Sequence, residues 1–262
     1  MARFCPLFSS SEGNCVYIGT ASGGILIDTG VSAKRIKTAL ADIGVELSSI
    51  GAVFVTHEHI DHIRGLPVLA GGAGLSVYSS PGTIEALRGQ GYLSRGIEAY
   101  PVNAAGVDIC GMHVSVFETS HDSVQSVGYI VVTPDDRRIA VATDTGVVTE
   151  TMSAALSGCD LVLLESNHDV GMLRNGPYPY PLKRRILSDK GHLSNDMCSA
   201  EAGRLLESGT TRFVLGHLSR ENNMPGLALE TTRCVFTAMG AVEGIDYTLS
   251  VAMPAGVPAT VF

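Results

Sequence analysis

Three histidines and an aspartate fall within six residues, in the run Thr56-His57-Glu58-His59-Ile60-Asp61-His62. Packing explains a lone histidine well, but not four ligand-type side chains crowded together. Imidazole and carboxylate groups in this combination suit Zn2+, Mn2+ or Fe. Side chains alternate along an extended or turning segment, so His57, His59 and Asp61 can converge. His62 should project differently, as the chain enters a helical stretch expected from Ile63. One segment can then serve two divalent ions, with His57 and His59 on one and Asp61 and His62 on the other. Bound cations would also offset the carboxylate charge of such a site.

A cluster of this kind needs a rigid element to deliver it, and the apolar run Ala52–Val55 leads directly into it. Further strands are expected at Val16–Gly19, Gly24–Ile27, Ser76–Tyr78, His113–Glu118, Val127–Val132, Arg138–Ala142, Leu161–Leu164, Arg212–Leu215 and Tyr247–Val251. Helical patterning covers Ala33–Ile43, Thr83–Leu87, Thr149–Leu156, Asn195–Glu207 and Leu227–Met239. Alternation of short strands with amphipathic helices points to a layered α/β fold. No Pro-, Gly- or Ser-rich linker divides the chain, so a single domain over residues 1–262 is expected, and Pro177–Pro181 reads as a rigid loop.

The chain also echoes itself. Gly24 to Gly30 and Ile139 to Gly146 both end an apolar strand in Asp-Thr-Gly, and each is followed by a helix and a second buried strand. Those second strands run into the polar clusters Thr56–His62 and Glu165–Asp169. Two pseudo-equivalent halves whose strand ends meet at one edge would explain the echo, since ligands gather at such edges.

The 262 residues carry a formal charge of −8, which speaks weakly against non-specific nucleic-acid binding. Six cysteines without C-x-x-C spacing suggest reduced thiols rather than a disulfide framework, and hence a cytoplasmic location. No signal-like segment and no membrane-length apolar run is expected.

The His57–His62 run resembles the signature of the metallo-β-lactamase superfamily, and the likeness extends over nearly the whole chain. It implies a four-layer αββα sandwich and assigns roles to further residues. Asp28 matches a strand-end aspartate that orders the site without binding metal. His121, Asp144 and His217 match later ligand motifs. The resemblance implies His57, His59 and His121 on one ion, Asp61, His62 and His217 on the other, and Asp144 shared. His113 matches no motif and is expected to be structural.

Gly191-His192-Leu193-Ser194-Asn195 is similar to a segment of tRNA 3′-end endonucleases in which the histidine lies near the scissile phosphate. A helix N-terminus beside a histidine favours an oxyanion, which makes Ser194 and Asn195 candidate substrate contacts. Together with Ser9–Cys15, Leu164–Asp169, Tyr180–Ile186 and His217–Asn223, this segment resembles the compact YycJ/WalJ-type family. That resemblance implies a metal-dependent 5′→3′ DNA exonuclease linked to DNA repair, with nucleic acid as its partner and no obligatory protein partner. A water bridging the ions would attack phosphorus, with Asp61 orienting it and His192 stabilising the phosphate or protonating the leaving oxygen. His168, Lys183 and Asn222 are further candidate contacts. The run Lys183-Arg184-Arg185 could grip a phosphate backbone, although such runs are more often solvated helix faces. The competing expectation keeps both metals but takes a small thioester, lactone or phosphodiester.

Overall fold

Strands that are apolar on both faces need cover on both sides. In β3 (Gly23–Ile27), Ile25 and Ile27 enter one core and Leu26 the other. In β10 (Arg138–Ala142), Ile139 and Val141 share the core of Ile25, whereas Ala140 and Ala142 face a third. The computed structural model describes residues 2–94, 96–255 and 260–261.

Among these, strands form two seven-stranded mixed sheets. The first takes the order β14 (Thr260–Val261), β1 (Arg3–Phe8), β2 (Cys15–Thr20), β3, β4 (Ile50–Phe54), β5 (Ser76–Ser79), β6 (Ala99–Pro101). The second takes β13 (Thr248–Val251), β12 (Arg212–Gly216), β11 (Leu161–Glu165), β10, β9 (Val127–Val132), β8 (Met112–Glu118), β7 (Val107–Ile109). Pairing is parallel from β3 to β6 and from β10 to β13, and antiparallel on the other side of each sheet. Each half therefore repeats the other's layout, as the Asp-Thr-Gly echo anticipates.

Helices cover the outer faces. α1 (Ala33–Asp42) and α3 (Leu66–Ala73) lay Ile36, Leu40, Leu66 and Leu69 on the first sheet. α5 (Glu150–Leu156), α8 (Asn195–Glu207) and α9 (Pro225–Ala238) lay Met152, Leu156, Leu205 and Phe236 on the second. Between the sheets lie Phe4, Ile18, Phe54, Tyr129 and Leu163, all fully buried, and this middle core completes the αββα sandwich. Each such side chain contributes roughly 1.5–3 kcal/mol by leaving water. No helix of the described residues is long and apolar enough to cross a membrane.

Several elements depart from the sequence reading. β1 contains Pro6, which argues against a strand, but the pairing with β2 shifts register between Pro6 and Phe8 and so tolerates it. α3 carries Gly71 and Gly72, poor helix formers, and is held by Leu66 and Leu69 instead. The helix at the histidine cluster, α2 (Ile60–Ile63), starts three residues earlier than expected, so Asp61 and His62 both sit on a helical turn. Pro181 lies in the first turn of α7 (Tyr180–Ile186) and opens that helix rather than belonging to a loop. α4 (Pro81–Gly89), capped by Ser80, and α6 (Val170–Asn175), capped by Asp169, complete the helices used below.

Candidate metal centre

All the strand ends that matter open at one edge between the sheets. Asp28 directly follows β3, Asp144 lies two residues beyond β10, and His217 directly follows β12, and all three residues are left-handed, with φ of 61°, 59° and 56°. Few non-glycine residues adopt this conformation, and aspartate is among the more tolerant. The glycines of the two Asp-Thr-Gly turns have steric duties. A Cβ on Gly30 would lie 1.6 Å from the Asp61 carbonyl oxygen, and one on Gly146 would lie 2.3 Å from that of Ser188. Each turn thus brings a second segment within backbone contact of the site.

The side chains gather as two sets. Ligand-type atoms of His57, His59 and His121 lie within 4.8 Å of one another, as do those of Asp61, His62 and His217. Asp144 stands between them, 3.2 Å from His62 Nε2, 3.5 Å from His217 Nδ1 and 3.7 Å from His121 Nε2. Four imidazoles are anchored through Nδ1: His57 on Thr56 Oγ1 (3.0 Å), His62 on Asp28 (2.7 Å), His121 on the Gly191 carbonyl (3.0 Å), and His217 on Glu165 (2.8 Å). Anchoring one ring nitrogen aims the other, which is how metal-binding histidines are oriented. Asp28 accepts also from the Thr56 N–H and hydroxyl, so one carboxylate ties Thr56 to His62.

The atoms left over fit divalent cations. His57 Nε2, His217 Nε2 and Asp144 Oδ2 are buried without a hydrogen-bond partner among the described residues. His59 Nδ1 and His121 Nε2 face each other at 3.3 Å. Buried polar atoms are normally paired. Converging lone pairs on imidazole and carboxylate are what a shared cation satisfies.

Electrostatics agree. Burial keeps the His57 and His121 imidazoles neutral, pushing both below the ordinary range, which leaves lone pairs available. Burial is the largest single influence and works against a proton on His62 and His217, but the carboxylates around each, Asp144 first, together outweigh it. Asp28 and Asp61 add to that pull on His62, and Asp61 and Glu165 add to it on His217, which rises to about 10. Burial alone would raise the Asp61 carboxyl, but His62 and His217 hold it well below the carboxylate range. In this arrangement protons balance the buried carboxylates, and cations taking their place would release them.

Glu165 is the residue that sequence reasoning missed. It ends β11 fully buried, and one of its oxygens accepts from both His192 Nδ1 and His217 Nδ1 at 2.8 Å. Its other oxygen accepts from the Thr145 and Leu193 amides. Burial would raise its carboxyl, but His192 and His217 bring it down to about 2. Glu165 does for the second half what Asp28 does for the first.

A cavity of about 200 Å3 opens beside the cluster, lined by His59, Asp61, His121, Asp144, His192 and His217 among others. A larger hollow of about 570 Å3 beside α1 has Phe8, Arg35 and Ile43 in its wall and no histidine. His192 lines the first cavity. The other candidate substrate contacts do not. Ser194 caps α8, its hydroxyl accepting from the Met197 amide, and the Asn195 amide donates to the His168 carbonyl, so those helix-start donors are already used. Asn195 is buried in a network with Ser166 and Asn223, and Asn222 is fully buried. Lys183 Nζ donates to the Arg174 and Gly176 carbonyls, closing the end of α6.

His168 is buried too, with neither ring nitrogen paired among the described residues. Burial lowers its pKa from 6.5 to about 4, against the pull of Glu165. The folded state keeps the ring neutral, whereas an unfolded chain protonates it below about pH 6.5. Its contribution is therefore complete above that pH and is lost as pH falls towards 4, by about 3 kcal/mol at ~1.4 kcal/mol per pH unit. His168→Gln will flatten the fall of unfolding free energy across this window, measured by urea titration. An unchanged slope would assign the acid sensitivity elsewhere.

Comparison with known proteins gives a consistent result. Residues 24–218 match the family described as the β-lactamase superfamily domain. The chain is 36% identical to exodeoxyribonuclease WalJ of Streptococcus pneumoniae over 94% of its own length and 92% of that protein. It is also 36% identical to exodeoxyribonuclease YycJ of Bacillus anthracis over 86% of each. Among solved structures, the metallo-β-lactamase fold protein YhfI of Bacillus subtilis superposes with a TM-score of 0.73 at 17% identity, over 99% of both chains.

Proposed function

This chain belongs to the metallo-β-lactamase superfamily, and from that premise we propose that it is a metal-dependent exonuclease that shortens DNA from the 5′ end. The observation that carries the reading is the meeting of two ligand sets at Asp144, one of His57, His59 and His121 and one of Asp61, His62 and His217. The relatives' names and near full-length coverage support nucleic acid as the substrate. The donor set suits Zn2+ or Mn2+, with Fe compatible. When bound, two such ions supply Lewis-acid activation of water and neutralise phosphate oxygens.

The chain's own groups do the rest. Asp61, 18% exposed at its side chain, faces the cavity and can orient a water through its outer oxygen. His192 is tied to Glu165 through Nδ1, which fixes the ring and turns Nε2 towards the cavity, where it can protonate a leaving oxygen. The whole chain works as one domain in a cytoplasmic setting, with its two halves joined through the middle core.

The test is digestion of 5′-labelled single- and double-stranded DNA and RNA by Zn2+- or Mn2+-reconstituted protein, with Asp61→Asn as the inactive control. Mononucleotide release from DNA is expected. His192→Ala should lower turnover about 10²–10⁴-fold while metal content stays at the wild-type level. A wild-type rate from His192→Ala would remove it from the chemistry, and hydrolysis confined to thioesters or lactones would overturn the nuclease reading.

A further inference from the structure

The cavity beside the ligand cluster has two unlike walls. One is neutral and polar, built from Ser11, Asn167 and Ser219. The other comes from the segment around α7 and brings Tyr178, Leu182, Arg185 and Ile186. Arg185 is the sole Lys or Arg among the described residues lining this cavity. Its guanidinium lies against Asp122, with Nη2 donating at 2.8 Å and Nε to the second oxygen. Both side chains are partly exposed, 45% and 32%, and a phosphate accepts the same two-pronged geometry, so it can replace the aspartate as the partner. Tyr178 is half-buried, and no hydrogen bond holds its phenol among the described residues. Lys183, by closing the end of α6, fixes the turn that carries Tyr178 over the cavity.

An aromatic ring and a guanidinium from one segment, with hydroxyls in the same lining and a cluster of metal-ligand side chains beside them, are the parts of a nucleotide site. Resting on the nuclease reading, we propose that Tyr178 and Arg185 form a grip for one unpaired terminal nucleotide. Tyr178 stacks on the base, and Arg185 leaves Asp122 for the neighbouring phosphate. At about 200 Å3 the recess is smaller than the roughly 300–1,000 Å3 usual for small-molecule pockets, which favours one base over a base pair. A frayed end is therefore the form that this grip selects.

The experiment uses a single-stranded oligonucleotide with phosphorothioate linkages and 2-aminopurine at its 5′ terminus, bound to Mn2+-loaded protein. Wild type should quench the 2-aminopurine, Tyr178→Ala should not, and Tyr178→Phe should retain quenching. Tyr178→Ala should weaken binding about tenfold, the effect of losing one stacked base, and an abasic 5′ end should erase the difference between it and wild type. Arg185→Ala should weaken binding and reduce the salt dependence of the binding constant by about one phosphate contact. Tyr180→Ala, on the neighbouring exposed ring outside the cavity, should bind as wild type does. Equal quenching by Tyr178→Ala, or equal loss on the abasic strand, overturns the grip, as does a wild type that neither binds nor quenches. Wild type that binds and quenches yet leaves an ordinary phosphodiester strand uncut overturns the nuclease reading and leaves the grip standing.

Discussion

Asp144→Asn will lower hydrolysis by at least about 10³-fold and will cost the protein metal at both positions. Asp144 is 2% exposed, and among the described residues it is the one carboxylate paired within 4 Å with histidines from both ligand sets. Burial by itself would raise its carboxyl, but His217 and His62 hold it well below the carboxylate range, so it enters the site as an anion. The amide keeps the shape and removes the charge. Asparagine also tolerates the left-handed backbone at φ 59°, whereas alanine would add strain and confuse the result. Metal content by mass spectrometry and turnover on DNA are the two readouts. Two retained ions with wild-type turnover would displace Asp144 from the centre of the site.

Glu165→Gln is the second large effect. One carboxylate oxygen serves two imidazoles, and the other serves two backbone amides. A glutamine must turn an NH2 group towards one of these donor pairs, leaving donors facing donors in a buried place. Loss of the partner to a buried charged group costs about 3–5 kcal/mol, and disturbing the orienting partner of a ligand histidine costs about 10–100-fold in metal affinity or activity. Both should appear, as a lower denaturation midpoint and a weaker metal titration. A variant with wild-type stability and metal affinity would show that His192 and His217 hold their places without it.

Legibility in the sequence followed chain distance. His57 to His62 announce themselves because four ligands share one segment, and the strand that presents them is an unbroken apolar run. Asp28 and Asp144 are visible through the repeated Asp-Thr-Gly, although the reason for each glycine, the close approach of Asp61 and of Ser188, is not. Glu165 was hidden because it closes an ordinary apolar strand, with its partners 27 and 52 residues away. Ser194 and Asn195 serve as a helix cap and a buried network, which the sequence does not reveal because a capped helix start and an anion-binding helix start have the same local sequence. Within the basic run Lys183-Arg184-Arg185 the sequence does not separate the residues; only the fold shows that Lys183 is spent on carbonyls while Arg185 lines the cavity. β1 and α3 were missed where Pro6, Gly71 and Gly72 contradicted propensities that tertiary packing overrides.

The division of the site between the two halves bears on how it comes into being. His57 and His217 are 160 positions apart, and they follow strands of different sheets that pack across the middle core. Chains emerge from the ribosome in order, and early segments fold first. A nascent first half can display its histidines, but it has no Asp144, no Glu165 and no His217 to complete the centre. Hydrolytic power on this assignment arrives late in synthesis, so incomplete translation products lack it.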